Sequence, residues 1–491
     1  MLIAFWVTWP TGNSPRTVSI QVLDDDSLLH VFYLYRPFLL GEDQDDVARL
    51  WGGEEPWARG RWWYKLAHVC RRWRSVILGS APYLKVFLVC TYGTPVADML
   101  AHSPPLPLVV DYFEEGRNIT AEDEEGIILA LNQRDRLRRV RFHLPATSLQ
   151  KFTAAIEEEY STLEYLIIGL PTEDKNTILI LSETLQAPQL RHLMLGGFGL
   201  PIGSRLLTTA VGLVALRLFM VHPSTYFYPN TLLQWISLMP QLEILVINFK
   251  SPIPGRDVER QLTHMPTITP VTLPNLRFFA FHGVNTYSEA LIPRITAPRL
   301  EKLRIQFINQ LTFFVPHLLQ LMNTAENLRF HTADLTFFDR KVEAVIYPHG
   351  DIVDSEMYSF AISVYCWHLD WQVSSATQIS SLLGQIFSLV ENLTFQYEEH
   401  SHSSEEHNQV DRTEWRRLLR PFRNVKTIRI VGGLVEELSF CLKLEDGELP
   451  LELLPELNEL TYYGSGNIGD AFTPFIDARR NAGHPVTLVR L

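Results

Sequence analysis

Four cysteines in 491 residues, at positions 70, 90, 366 and 441, are too few and too scattered for a disulfide framework. They suit a reducing compartment, cytoplasmic or nuclear. Long apolar runs are missing as well: none reaches the ~18–20 residues that span a bilayer as a helix, so no membrane partner is expected. The apolar start MLIAFWVTWP is short and lacks the basic segment and small-residue cleavage site of a signal peptide. Basic residues are outnumbered, 43 Lys and Arg against 55 Asp and Glu, for a net charge of -12. A phosphate backbone needs the opposite balance, which argues against nucleic acid. The basic cluster CRRWRS at Cys70–Ser75 reads as a solvated helix face.

Catalytic patterns are absent too. No Ser-His-Asp or Cys-His arrangement stands in a recognisable local context, so no catalytic residue, cofactor or metal is assigned and the chain is not expected to be an enzyme. EEHSHSSEEH at Glu398–His407 offers histidines and carboxylates, but its serine-rich setting reads as an exposed insertion. GSGNIG at Gly464–Gly469 lacks the lysine of a phosphate loop and reads as a turn. Cys70 has basic neighbours that would favour a thiolate, yet its spacing reads as a core cysteine.

The chain does carry enough apolar surface for a large core, 46% hydrophobic and 11% aromatic residues. Its length sets a prior of about three domains. In WYKLAHVCRRWRSVILGSAPYL, Trp63–Leu84, residues Leu66, Val69, Cys70, Trp73 and Ile77 recur at helical spacing and predict one apolar helix face. Gly79 and Pro82 predict its end, the glycine as a left-handed cap. Upstream, LDDDSLLHVF at Leu23–Phe32 predicts a second helix with an acidic, capping start. Together, L-x-x-V-C-R-x-W-R and the opening LDDDSLLHVF resemble the two halves of an F-box, with Asp24 where that family usually has proline. An insertion at about 37–61 separates them.

From Leu137 a six-residue phrase returns with apolar residues at positions 1, 4 and 6. Copies include LRRVRF at Leu137, LEYLII at Leu163, LRHLML at Leu190, LVALRL at Leu213, LEILVI at Leu242, LRFFAF at Leu276 and LEKLRI at Leu300. VKTIRI at Val425 and LNELTY at Leu457 follow, with weaker copies AENLRF at Ala325 and VENLTF at Val390. From Leu137 to Ala325 the intervals are 26, 27, 23, 29, 34, 24 and 25 residues, which bracket the ~20–29 of leucine-rich repeats. Positions 4 and 6 share the inward face of a strand, and the leading residue packs at the turn before it. The asparagine usual after the strand is replaced, by Phe198 and Lys250 in two copies. Residues 335–392 are poorly phased, although Tyr358–Cys366 alternates like a strand. PVTLVRL reads as a last strand.

These patterns give an α/β chain. A small all-α F-box-like module is followed by an irregular leucine-rich-repeat-like solenoid with parallel strands on the concave face; a doubly wound sheet is the alternative architecture. The divisions are a tail at 1–19, the helical module at 20–84, linking strands and an acidic loop at 85–136, and the solenoid at 137–491. The resemblance implies a substrate receptor of an SCF-type ubiquitin ligase, docking the Skp1 adaptor and through it a cullin-RING ligase. By that resemblance Leu23, Leu28, Val31, Phe32, Leu66, Val69, Cys70 and Trp73 belong to the Skp1-binding motif. Strand positions 5 and 7 then line the target surface: Arg141, His143, Arg217, Phe219, Asn248, His282, Arg304, Gln306, Arg429 and Tyr463. This mix is basic and aromatic, which suits an acidic or phosphorylated target. The rival reading is a repeat scaffold that does not engage Skp1, and a diverged hydrolase or transferase is a third, without a nucleophile to support it.

Overall fold

The computed structural model of the chain describes residues 23–35, 62–114, 116–171, 177–250, 270–308, 315–348, 358–398, 410–444, 449–463 and 471–490. The tail 1–19, the insertion at 37–61, GSGNIG and all of EEHSHSSEEH but Glu398 lie outside them. The described residues form a mixed α/β protein with 16 helices and a large, mostly parallel sheet that does not close into a barrel. None of these helices is long and apolar enough to cross a membrane. The chain divides into two compact units, Met1–Arg141 and Phe142–Leu491.

Among the described residues of the first unit, four helices, Asp25–Tyr35, Trp62–Ala67, Arg71–Gly79 and Ala81–Leu84, precede β1 (Leu88–Cys90), and the helix Val96–His102 leads from it to β2 (Leu108–Tyr112). The two strands pair in parallel. β3 (Leu137–His143) runs across the division. The first helix begins at Asp24, whose carboxylate accepts the Ser27 N–H at 2.7 Å. That bond holds the Asp24 carboxyl below its ordinary range. The residue in the usual proline position is therefore itself the cap.

The single helix face expected from Leu66 to Ile77 is not formed. The helix stops at Ala67, and Cys70 turns extended (φ -160°) to cap the next one, its Sγ accepting the Trp73 N–H at 3.5 Å. The break frees carbonyls of the last turn, and Arg74 donates to that of Ala67 at 3.1 Å. Cys70 is consequently exposed, which corrects its reading as a core cysteine. Gly79 closes its helix without a positive φ; the left-handed residue is Lys85 (φ 49°), after Ala81–Leu84. Pro82 opens that short helix instead of ending one, since first-turn N–H groups need no partner within the helix.

The second unit contains β4 (Tyr165–Gly169), β5 (Leu179–Ile180), β6 (His192–Gly196), β7 (Phe198–Gly199), β8 (Ala215–Val221) and β9 (Ile244–Phe249). Next come β10 (Val271–Thr272), β11 (Phe278–Gly283), β12 (Ile295–Thr296), β13 (Lys302–Phe307), β14 (Thr332–Phe337) and β15 (Lys341–Tyr347). β16 (Phe360–Tyr365), β17 (Asn392–Tyr397), β18 (Thr427–Val431), β19 (Glu459–Tyr462) and β20 (Thr487–Arg490) complete it. The main sheet of this unit runs β4-β6-β8-β9-β11-β13-β16-β15-β14-β17-β18-β19-β20, so PVTLVRL does supply its last strand.

The phrases become strands by a repeated local device. The leading leucine closes a turn with its N–H: Leu190 onto Ala187 at 3.0 Å, Leu242 onto Met239 at 3.1 Å, Leu300 onto Ala297 at 3.2 Å. Its side chain is fully buried, and the strand starts two residues later. Positions 4 and 6, such as Leu216 and Leu218 or Leu245 and Ile247, are buried on one sheet face. Helices cover that face; Trp415 of Arg412–Leu419 meets Phe337 at 5.6 Å and Phe395 at 6.3 Å.

Two departures stand out. The weak copy AENLRF forms no strand; β14 starts at Thr332, and β15 pairs antiparallel with both β14 and β16. A tight hairpin at Asp339–Arg340, closed by the Phe338 N–H onto the Lys341 carbonyl at 2.8 Å, produces this reversal. The strands of the unit are therefore parallel except β15. In place of an asparagine ladder, rings tie turns together: Phe249 lies 4.1 Å from Tyr226 and 4.9 Å from Tyr287, and the Tyr287 hydroxyl donates to the Phe227 carbonyl at 3.1 Å.

Candidate functional site

Two surfaces carry the residues singled out in the sequence. On the helices of the first unit, Leu28 and Phe32 are buried, and Phe32 meets the half-buried Trp73 edge-on at 5.0 Å. Arg72 fastens this pair by donating to Asp25 at 2.8 Å and to the Leu23 carbonyl at 2.5 Å. Leu23 and Leu66 are half-buried. Leu28, Phe32 and Trp73 thus hold the helices to one another. Val31 (40% exposed) and Val69 (58%) face solvent, as does Cys70. Sequence reasoning missed Leu34 and Tyr35, which are 69% and 59% exposed. Their signal was present: Val31, Leu34 and Tyr35 fall three and four apart, along a stripe that flanks Leu28 and Phe32.

The second surface is the sheet face opposite the buried leucines. Position 7 supplies Asn248, His282 and Gln306 in adjacent strands, followed in register by Ser363 and Glu343. His282 stacks on Tyr365, centroids 5.6 Å apart, and burial together with the Arg304 charge lowers its pKa to about 4. Its imidazole is neutral at pH 7. Glu343 accepts from Arg304 at 3.3 Å and from Lys341 at 2.7 Å. Arg429 is exposed, lies 4.8 Å over the Tyr463 ring and donates to the Tyr463 hydroxyl. Three buried atoms here, Asn248 Oδ1, Ser363 Oγ and Arg304 Nε, have no hydrogen-bond partner.

Arg217 is 4% exposed and leaves the group of surface candidates. Met194 and Val246 flank it in register, and Phe219 packs against the small cluster of Ala215, Ile244, Val246 and Ala280 beside it. Arg141 pairs with Asp111 at 3.3 Å and lies 4.7 Å over Phe113; His143 is half-buried in β3. Lys341, Glu343, Asp334 and Ser363 were missed because they come from the hairpin, where the phrase has no copy. Only the alternation at Tyr358–Cys366 pointed there.

No group of three or more metal-ligating side chains occurs among the described residues. The chain matches no family model, and no curated protein matches it.

Proposed function

We propose that this chain is the substrate-recognition subunit of an SCF-type ubiquitin ligase. In this reading the first helices are an F-box-like module that docks the Skp1 adaptor, and residues 137–491 are an irregular leucine-rich-repeat-like solenoid that captures a target protein. Ligase chemistry belongs to the cullin-RING assembly, and the chain contributes positioning, raising the effective concentration of a target lysine. It would act in the cytoplasm or nucleus. One observation carries the reading: Val31, Leu34 and Tyr35 on the helix Asp25–Tyr35, and Val69 in the turn after Trp62–Ala67, are large apolar side chains left 40–69% exposed. Exposed apolar anchors on a helical face are the features a helical partner uses.

The test is binding of the full chain to immobilised Skp1, wild type against a Val31→Asp, Val69→Asp double variant. Both positions face solvent, so the variant keeps its fold, which circular dichroism verifies. Loss of about 2 kcal/mol or more of binding supports the docking face. A folded wild-type chain that does not bind Skp1 removes the ligase reading. The rival, a repeat scaffold indifferent to Skp1, draws on the burial of Leu28 and Phe32, since motif residues consumed in packing need no adaptor to explain them.

A further inference from the structure

Backbone register sets Arg304, Ala361, Val345, Asp334, Thr394 and Arg429 side by side across β13, β16, β15, β14, β17 and β18. The side chains between the two arginines are short, so the row is a trough with a guanidinium at each end. Five strand steps of ~4.8 Å separate the arginines by about 24 Å.

Charge is sorted by depth along this trough. The Arg304 side chain is 40% exposed and Arg429 is exposed. The Glu343 side chain, which holds Arg304 and Lys341, is only 11% exposed. Asp334 is half-buried and accepts from Thr394 and Tyr347; burial raises its pKa, against those two bonds and the nearby Arg429 charge, which lower it. Lys302 and Glu459, in the neighbouring row toward the strand starts, offset each other in sign. The row therefore carries two cations at its ends against one half-buried carboxylate between them, on a chain of net charge -12. A second observation is independent of charge. Ser363, 1% exposed and beside Glu343 in register, keeps a hydroxyl without a hydrogen-bond partner. A buried polar atom left unsatisfied calls for an explanation, and a ligand lying over this face supplies one.

We propose that this trough binds an extended peptide segment of a partner protein bearing two anionic side chains about six or eight residues apart, the even spacings that turn both to one face, one for each arginine. The spacing follows from the ~3.3–3.6 Å that each extended residue spans. Asp334 and Thr394 on the trough floor, with Ser363 in the row beside it, bond the intervening backbone, and the arginines read the anions, carboxylate or phosphate, in bidentate fashion. The inference rests on the reading of this sheet face as the target surface, but not on Skp1.

The test selects a displayed library of random twelve-residue peptides against the full chain. Wild type is expected to enrich pairs of Asp or Glu about six or eight residues apart. An Arg304→Glu, Arg429→Glu variant, shown folded by its melting transition, is expected to lose that pair and favour Lys or Arg in its place. An enriched peptide is then synthesised with glutamates or with phosphoserines at the paired positions. Its affinity should drop about tenfold or more with either single reversal, and the tighter form identifies the anion. No enrichment, enrichment without an acidic pair, or preference unchanged by the reversals overturns the proposal. Skp1 binding measured on the same chain stands or falls separately.

Discussion

Arg479 gives the sharpest stability test. It is fully buried in the helix Thr473–Asn481, and its guanidinium donates to the carbonyls of Pro450 at 3.3 Å, Pro455 at 3.0 Å and Leu457 at 3.1 Å. Leu457 leads the phrase that becomes β19, so one side chain ties the last long helix to the turn that starts the strand. Burial lowers the Arg479 pKa while nearby Glu456 raises it, and the cation persists because its acceptors are backbone dipoles. Replacement by methionine keeps most of the volume but orphans three carbonyls. Bonds from a charged donor contribute about 1.5–3 kcal/mol each, while relief of charge burial returns part of the sum. The net expectation is a loss of about 4 kcal/mol for Arg479→Met. Arg479→Lys, which keeps the charge but not the fork, should lose about half of that. Hydrogen exchange followed by mass spectrometry on peptides from 449–490 reads the change locally. A 4 kcal/mol loss lowers amide protection in β19 and β20 by about a thousandfold. Protection within about fivefold of wild type in Arg479→Met would refute the reasoning.

Two further outcomes are expected. His282 has a folded pKa near 4 against an ordinary 6.5, so the unfolded chain takes up a proton first as the pH falls. The stabilisation from a neutral His282 is present above pH 6.5 and is lost between about 6.5 and 4; urea titrations should show His282→Asn with a flatter stability profile across that window. Of the four cysteines only Cys70 is exposed. A thiol-specific reagent should modify one thiol rapidly in the native chain and four after denaturation, and Cys70→Ser should abolish the rapid phase. A second rapid thiol would contradict the burial of Cys90, Cys366 and Cys441.

Most strands of the second unit could be read in advance, because each follows a buried leucine or valine that leads the phrase, most often one whose N–H closes the turn. Leu190, Leu213, Leu242, Leu276 and Leu300 all behave this way. Legibility failed where a local bond competed with periodicity. Cys70 kept helical spacing with Leu66 and Trp73, yet its sulfur caps a new helix, and apolar spacing does not report that choice. It failed again at AENLRF, where the phrase was present but the chain delayed its strand and then folded back as a hairpin. Position 5 was assigned to the open face correctly in direction but not in depth. Arg217 is enclosed by its neighbours in adjacent strands, and no single phrase contains that information.

The reversal at β14–β16 also bears on how the chain assembles. A row of parallel strands laid down in sequence order can grow one turn at a time, each strand docking on the one just finished. Growth from β4 reaches β13 and then has no next strand to receive, because the neighbour of β13 is β16, which is synthesised after β14 and β15. Pairing of β14, β15 and β16 with one another involves only local contacts, and it presents β16 to the waiting edge. The β13–β16 junction is thus a seam where two independently grown blocks are zipped together. Its closure depends on contacts more distant in sequence than any within the repeats before it, and such contacts form late.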